Sequence, residues 1–84
     1  MNVPMSLKPL PENVEASLAE EIEKEASLFG MFISFEKGEI EGDEVFDKLR
    51  SYWKPKVDNP SLYYDTGLFI ELRRRARIVL GLPV

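Results

Sequence analysis

The chain has 84 residues, no cysteine and no histidine, and a formal net charge of −4. This length suffices for one small domain with a single core. The absence of cysteine excludes disulfides and thiolate chemistry, and the absence of histidine removes the commonest general base and transition-metal ligand. Glutamine is absent as well, whereas Glu, Lys and Arg are abundant, which is a bias typical of thermophilic proteins.

The net charge conceals a division along the chain. Residues 1–47 carry twelve acids against three lysines, a net charge of −9, whereas residues 48–84 carry eight bases against three acids, a net charge of +5. Opposite charges of this kind either pair inside the molecule or are presented to partners, and both interpretations stay open.

The first eleven residues contain three prolines. Pro4, Pro9 and Pro11 prevent a regular helix there, because proline fixes φ and lacks a backbone donor. We therefore expect an extended apolar arm, either disordered alone or laid across a neighbour.

The start of the sequence lacks the basic residues and apolar run of a secretory signal, and no apolar run approaches the roughly 18 residues of a membrane span. We therefore expect a cytoplasmic protein without membrane contact.

An apolar stripe at helical spacing predicts a long acidic helix from Pro11 to Lys37. Gly30 interrupts this stripe, and a glycine inside a helix costs about 1 kcal/mol relative to alanine. A kink, or close packing of another backbone along the small residues Ala26, Gly30 and Ser34, would offset that cost. A homodimer formed through these small residues and a simple core helix with one tolerated glycine are both open alternatives.

Glycines and prolines divide the rest of the chain. Gly38 is expected to end the long helix as its left-handed cap. A second helix is predicted from Asp43 to Lys54, where Pro55 stops it, and a third should end at Gly81.

The sequence thus predicts an all-α fold, a small three-helix domain with one long acidic helix and two shorter helices. The predicted organisation is an extended arm over residues 1–11, a helical domain over residues 12–81 and a tail over residues 82–84.

The third helix contains the most informative segment, Leu68–Leu80. At about 100° per residue, one arc of the helix is apolar and is expected to face the core. This arc comprises Leu68, Phe69, Leu72, Ala76, Val79 and Leu80. Ile70, Arg74 and Ile78 are spaced i, i+4, i+8 and should form a strip that faces away from the core. An apolar–arginine–apolar strip suits a protein partner, because arginine is enriched at protein interfaces.

We expect a non-catalytic accessory or adaptor subunit that binds a larger protein assembly through this helix and the apolar arm. The charge division favours a nucleic-acid-processing assembly of replication, repair or transcription. The predicted partner-binding residues are Ile70, Arg73, Arg74, Arg77 and Ile78. The alternative is direct binding of nucleic-acid phosphates. That alternative uses Arg73, Arg74, Arg77, Lys54 and Lys56. A third interpretation pairs Arg75 and Arg73 with glutamates of the first helix and leaves the other arginines of this segment solvated.

No catalytic constellation is visible in the sequence. The segment Gly38–Phe46 matches the second half of an EF-hand loop in part, but the first ligand positions would then be Ile33, Phe35 and Lys37, which offer no side-chain oxygen. We therefore expect no enzymatic activity, no metal and no cofactor.

Overall fold

The computed structural model describes residues 6–84, most of which are helical. Within this range the α-helices are α1 (Glu12–Glu23), α2 (Ala26–Glu36), α3 (Gly42–Trp53) and α4 (Thr66–Leu80). Two 3₁₀ turns, Lys54–Lys56 and Pro60–Leu62, lie between α3 and α4. Two short strands, β1 (Lys8–Pro9) and β2 (Tyr63–Tyr64), pair in parallel. The predicted all-α class is confirmed at this level, but the described chain has four α-helices instead of three.

The prediction of one continuous helix from Pro11 to Lys37 was wrong. The first helix ends at Glu23, and α2 begins at Ala26. Glu25 between them is extended, and its carboxylate accepts hydrogen bonds from the backbone N–H of Ser27 at 3.3 Å and from its hydroxyl at 3.0 Å. Glu25 therefore caps α2 and permits a change of direction that the apolar stripe did not indicate.

Gly30 is not the point of interruption, because α2 continues through it. A Cβ atom built on Gly30 would meet nothing within 4 Å among the atoms outside its own turn of helix. Among the described residues, therefore, no other backbone packs closely against Gly30.

The predicted glycine caps are confirmed at two positions. Gly38 and Gly81 have φ values of 78° and 73°, in the left-handed region that favours glycine. At the end of α4, the N–H of Gly81 donates to the carbonyl of Ile78 and the N–H of Leu82 donates to that of Arg77. This pair of bonds is a Schellman motif, which satisfies the last carbonyls of the helix and turns the tail back along it.

Phe69 belongs to the core and joins three helices. Its ring stacks on Phe46 of α3 with a centroid distance of 3.8 Å, and it contacts Phe32 and Phe35 of α2 at 5.3 and 5.8 Å. Aromatic pairs of this kind stabilise by about 0.5–1.5 kcal/mol beyond their burial. They fix the rotation of α4, and with it the side chains that face solvent.

The described part of the arm belongs to the domain. Residues 6–11 are extended, β1 pairs with β2, and Leu10 is buried in the core. Leu7, in contrast, is largely exposed. The other apolar residues of the predicted arm, Val3 and Met5, lie outside the described residues. Among residues 6–84, no helix has both the length and the apolar character to cross a membrane.

Candidate functional site

The inner side of α4 follows the predicted core arc with two exceptions, because Leu80 is only half-buried and Val79 is exposed. Its buried apolar residues are Leu68, Phe69, Leu72 and Ala76. Val79 was predicted to be buried but is 61% exposed. Glu15 of α1 lies against Gly67, and Glu23 pairs with Arg75, so α1 runs in the same direction as α4 and ends beside Arg75. Val79 lies one turn further along and therefore has no α1 residue to cover it.

The outer side of α4 carries the strip that the sequence predicts. Ile70 is 58% exposed and Ile78 is 54% exposed, and the exposed Arg74 lies between them. The free energy of transfer disfavours the exposure of aliphatic side chains in water. Two isoleucines on one side of one helix are therefore a candidate contact surface.

Arg73 and Arg77 border this strip and share one carboxylate. The Nε atom of Arg73 donates to Glu36 at 2.6 Å, and the Nη1 atom of Arg77 donates to the other oxygen of Glu36 at 2.8 Å. The Glu36 side chain is only 2% exposed. Burial acts to raise the pKa of Glu36, but the hydrogen bonds from the two arginines outweigh it and hold this pKa below its ordinary value.

Glu71 forms a second group of ion pairs on the same helix. Arg74 donates two hydrogen bonds to it, at 3.1 and 2.8 Å, and the Nε atom of Arg75 donates a third at 2.8 Å. These bonds, with that from Arg74 contributing most, lower the pKa of Glu71 to about 2. Arg75 also reaches Glu23 of α1 at 2.7 Å. The predicted pairing of Arg73 and Arg75 with glutamates of the residues assigned to the first helix is therefore observed. Arg74 and Arg77, which that interpretation left solvated, are paired with carboxylates as well.

The structure brings four of the five predicted partner-binding residues around one shallow depression. Its lining consists of Ile70, Arg73, Arg74, Arg77 and Val84. The backbone carbonyl of Pro83 accepts a hydrogen bond from Arg77, which holds the tail beside α4. Ile78 lies outside this depression, further along the same exposed side.

The two lysines of the nucleic-acid interpretation lie elsewhere. Lys56 is 4.0 Å from Glu21 of α1 and 4.7 Å from the centre of the Tyr52 ring. Lys54 lines a different depression, together with Arg50 and Tyr64. Within residues 6–84, the predicted phosphate-binding residues therefore do not form one continuous basic surface.

Two contributors to this site were missed by reasoning from the sequence. Glu36 is the buried acceptor that orients two arginines, and Val84 closes the depression. Glu36 directly follows the apolar segment Leu28–Phe35, and this position was a signal that its carboxylate is buried in an ion pair. Nothing in the local pattern indicated that the tail would return to α4.

The described residues offer no group of three or more metal-ligating side chains that could hold an ion. Comparison of the chain with protein-family models, with curated proteins and with solved structures found no match.

Proposed function

We propose that this protein is a non-catalytic binding module that docks on a larger protein through the outer side of α4. The observation that carries the proposal is the exposure of Ile70 and Ile78 on a helix whose opposite side is anchored in the core. Interfaces combine a desolvated apolar centre with arginine at their borders, and α4 offers both.

The pairing of the arginines supports a protein partner over a bare phosphate backbone. Each of Arg73, Arg74 and Arg77 already donates to a carboxylate of its own chain. Contact with a series of phosphates would require these arginines to exchange their carboxylate partners, whereas an apolar contact beside Ile70 leaves the ion pairs intact. The charge division that suggested a nucleic-acid-processing assembly is partly neutralised in the same way, and it therefore does not by itself favour nucleic acid.

The test is capture of partners from native lysate by the purified full chain, compared with an Ile70→Glu/Ile78→Glu double variant. We expect the double variant to lose the captured protein while it keeps the helical circular-dichroism spectrum of the parent. Val79→Glu is a matched control, because Val79 is an exposed aliphatic residue on another side of the same helix.

Equal capture by the parent and the double variant would contradict the proposal. The same samples discriminate the other interpretations. Salt-sensitive binding of labelled DNA or RNA that is lost when Arg73, Arg74 and Arg77 become alanine would indicate direct phosphate contact. Concentration-dependent light scattering by the parent alone would indicate a homodimer.

A further inference from the structure

The lining of the α4 depression has the geometry of a helix-packing site. Ile70, Arg73, Arg74 and Arg77 are spaced i, i+3, i+4 and i+7, and together they surround the depression with Val84 at its edge. Four helical residues at this spacing form the hole that receives a single side chain, a knob, when two helices pack side by side. The depression is therefore shaped for one side chain of a neighbouring helix.

The interior of this hole is apolar, although three of its residues are arginines. Glu36 holds the N–H groups of Arg73 and Arg77, and Glu71 holds those of Arg74, while Arg77 also donates to the Pro83 carbonyl beside Val84. What remains beside Ile70 is the methylene stems, which behave as apolar surface. An aliphatic knob would bury itself against these stems without displacing an ion pair.

The border of the hole, in contrast, is positive. Arg73 and Arg77 share the single charge of Glu36, which leaves one net positive charge on that pair, whereas Arg74 is paired with Glu71. The Glu36 side chain is nearly inaccessible, whereas the side chains of the three arginines and of Glu71 are partly exposed. Arg73 and Arg77, which share the inaccessible Glu36, therefore present positive charge outward, and this charge complements carboxylates on a partner.

We propose that the partner is an amphipathic helix that inserts one aliphatic side chain into the hole and flanks it with aspartate or glutamate. This inference rests on the proposed function and names the chemistry of the partner at the same site. A second copy of the chain fits less well, because pairing two α4 helices would place one arginine border against the other.

A displayed library of helical peptides, randomised at the positions of one exposed side, tests this proposal against the full chain. We expect the selected peptides to carry one aliphatic residue with acidic neighbours. We also expect them to bind the Ile70→Glu variant at least about tenfold more weakly than the parent, a difference of about 1.4 kcal/mol. Binding to the Val79→Glu variant should be unchanged.

A charge reversal provides the matched test of the border. One selected peptide is compared, by fluorescence anisotropy, with a copy that carries lysine at its acidic positions. We expect the parent to bind the acidic peptide more tightly. The Arg74→Glu variant should instead bind the lysine peptide more tightly. Selection of basic peptides, of peptides insensitive to Ile70→Glu, or of none would overturn the inference. Sedimentation that shows Ile70-dependent self-association would do so too, in favour of a second copy.

These outcomes are separable from failure of the proposed function. If native protein is captured through Ile70 and Ile78 while no acidic helical peptide binds, the docking function stands and the helical partner is wrong. If neither binds, both are wrong.

Discussion

The carboxylate of Glu36 accepts a hydrogen bond of 2.6 Å from the Nε atom of Arg73, which ties the end of α2 to the middle of α4. Arg77 donates to the second oxygen of the same carboxylate. One nearly inaccessible acid thus fixes two of the arginines that border the candidate binding surface. The direction of their methylene stems, and hence the apolar character of the hole, depends on it.

Replacement of Glu36 by glutamine should destabilise the domain. The substitution keeps the size of the side chain but leaves two guanidinium groups without their anionic acceptor. Because these arginines are partly exposed and can regain water, we expect a loss of about 1–2 kcal/mol in the free energy of unfolding, below the cost of breaking a fully buried pair.

Chemical denaturation followed by circular dichroism measures this loss. Glu39→Gln is the control, because Glu39 is exposed and forms only a 3.5 Å pair with the exposed Lys37. Its effect should stay within about 0.5 kcal/mol. Equal denaturation midpoints for Glu36→Gln and Glu39→Gln would show that the ion pairs of Glu36 stabilise the domain no more than an exposed ion pair does.

The stability of the domain should fall as the pH is lowered from about 5 toward 2. Glu71, whose pKa lies near 2, and Glu36, whose pKa is also lowered, both have ordinary values of 4.5. A carboxyl group with a lowered pKa in the folded state stabilises that state above its unfolded pKa, and this contribution is lost as pH falls through the folded pKa.

Urea denaturation midpoints measured across this pH range check the assignment. In the Glu71→Gln variant the decline should be shallower than in the parent, because one of the two groups no longer titrates. Glu20→Gln, which changes an exposed acid with no ion pair among the described residues, should keep the slope of the parent. If the midpoint of the Glu71→Gln variant fell with pH as steeply as that of the parent, Glu71 would not contribute to the loss of stability in acid.

Local rules predicted much of this fold. The caps at Gly38 and Gly81 follow from the unique tolerance of glycine for positive φ, and the inner side of α4 follows from helical periodicity. The burial predicted for Val79 was wrong, because periodicity gives the direction of a side chain but not the length of the neighbouring helix that would cover it. The break at Glu25 was missed because glutamate is not among the favoured N-cap residues.

Helical periodicity also predicted part of the candidate site. The strip of Ile70, Arg74 and Ile78 is a property of one helix, so periodicity alone places it. The contact between Glu36 and its two arginines joins residues about 40 positions apart, and no short-range pattern encodes such a meeting. Whether the strip binds a partner stays a prediction.

Replacement of Gly30 by alanine should stabilise the domain by about 0.5–1 kcal/mol, because it removes the entropic cost of glycine in a helix and the added methyl group meets open space. Thermal denaturation measures the gain. Gly38→Ala is the opposite control: its φ of 78° should make alanine destabilising by about 1 kcal/mol or more. A loss of stability in Gly30→Ala would indicate that another chain packs closely there.

The only tryptophan of the chain reports on a buried polar contact. Trp53 donates through Nε1 to the nearly inaccessible carboxylate of Asp65 at 2.8 Å, and Arg50 lies 3.6 Å from the same oxygen. Asp65→Ala leaves the indole N–H without its acceptor, and we expect a loss of about 1–3 kcal/mol in urea unfolding followed by Trp53 fluorescence. Asp65→Asn keeps an acceptor and should lose less. Identical midpoints for the two variants would contradict the importance of this bond.

The most direct test of the docking surface is site-specific photo-crosslinking in native lysate, with a benzophenone side chain placed at position 70, at position 78 or, as a control, at the exposed position 20 of α1. We expect the same protein adduct from positions 70 and 78, and none from position 20. Adducts of equal yield from position 20, or no protein adduct from positions 70 and 78, would show that the outer side of α4 is not where this protein meets its partner.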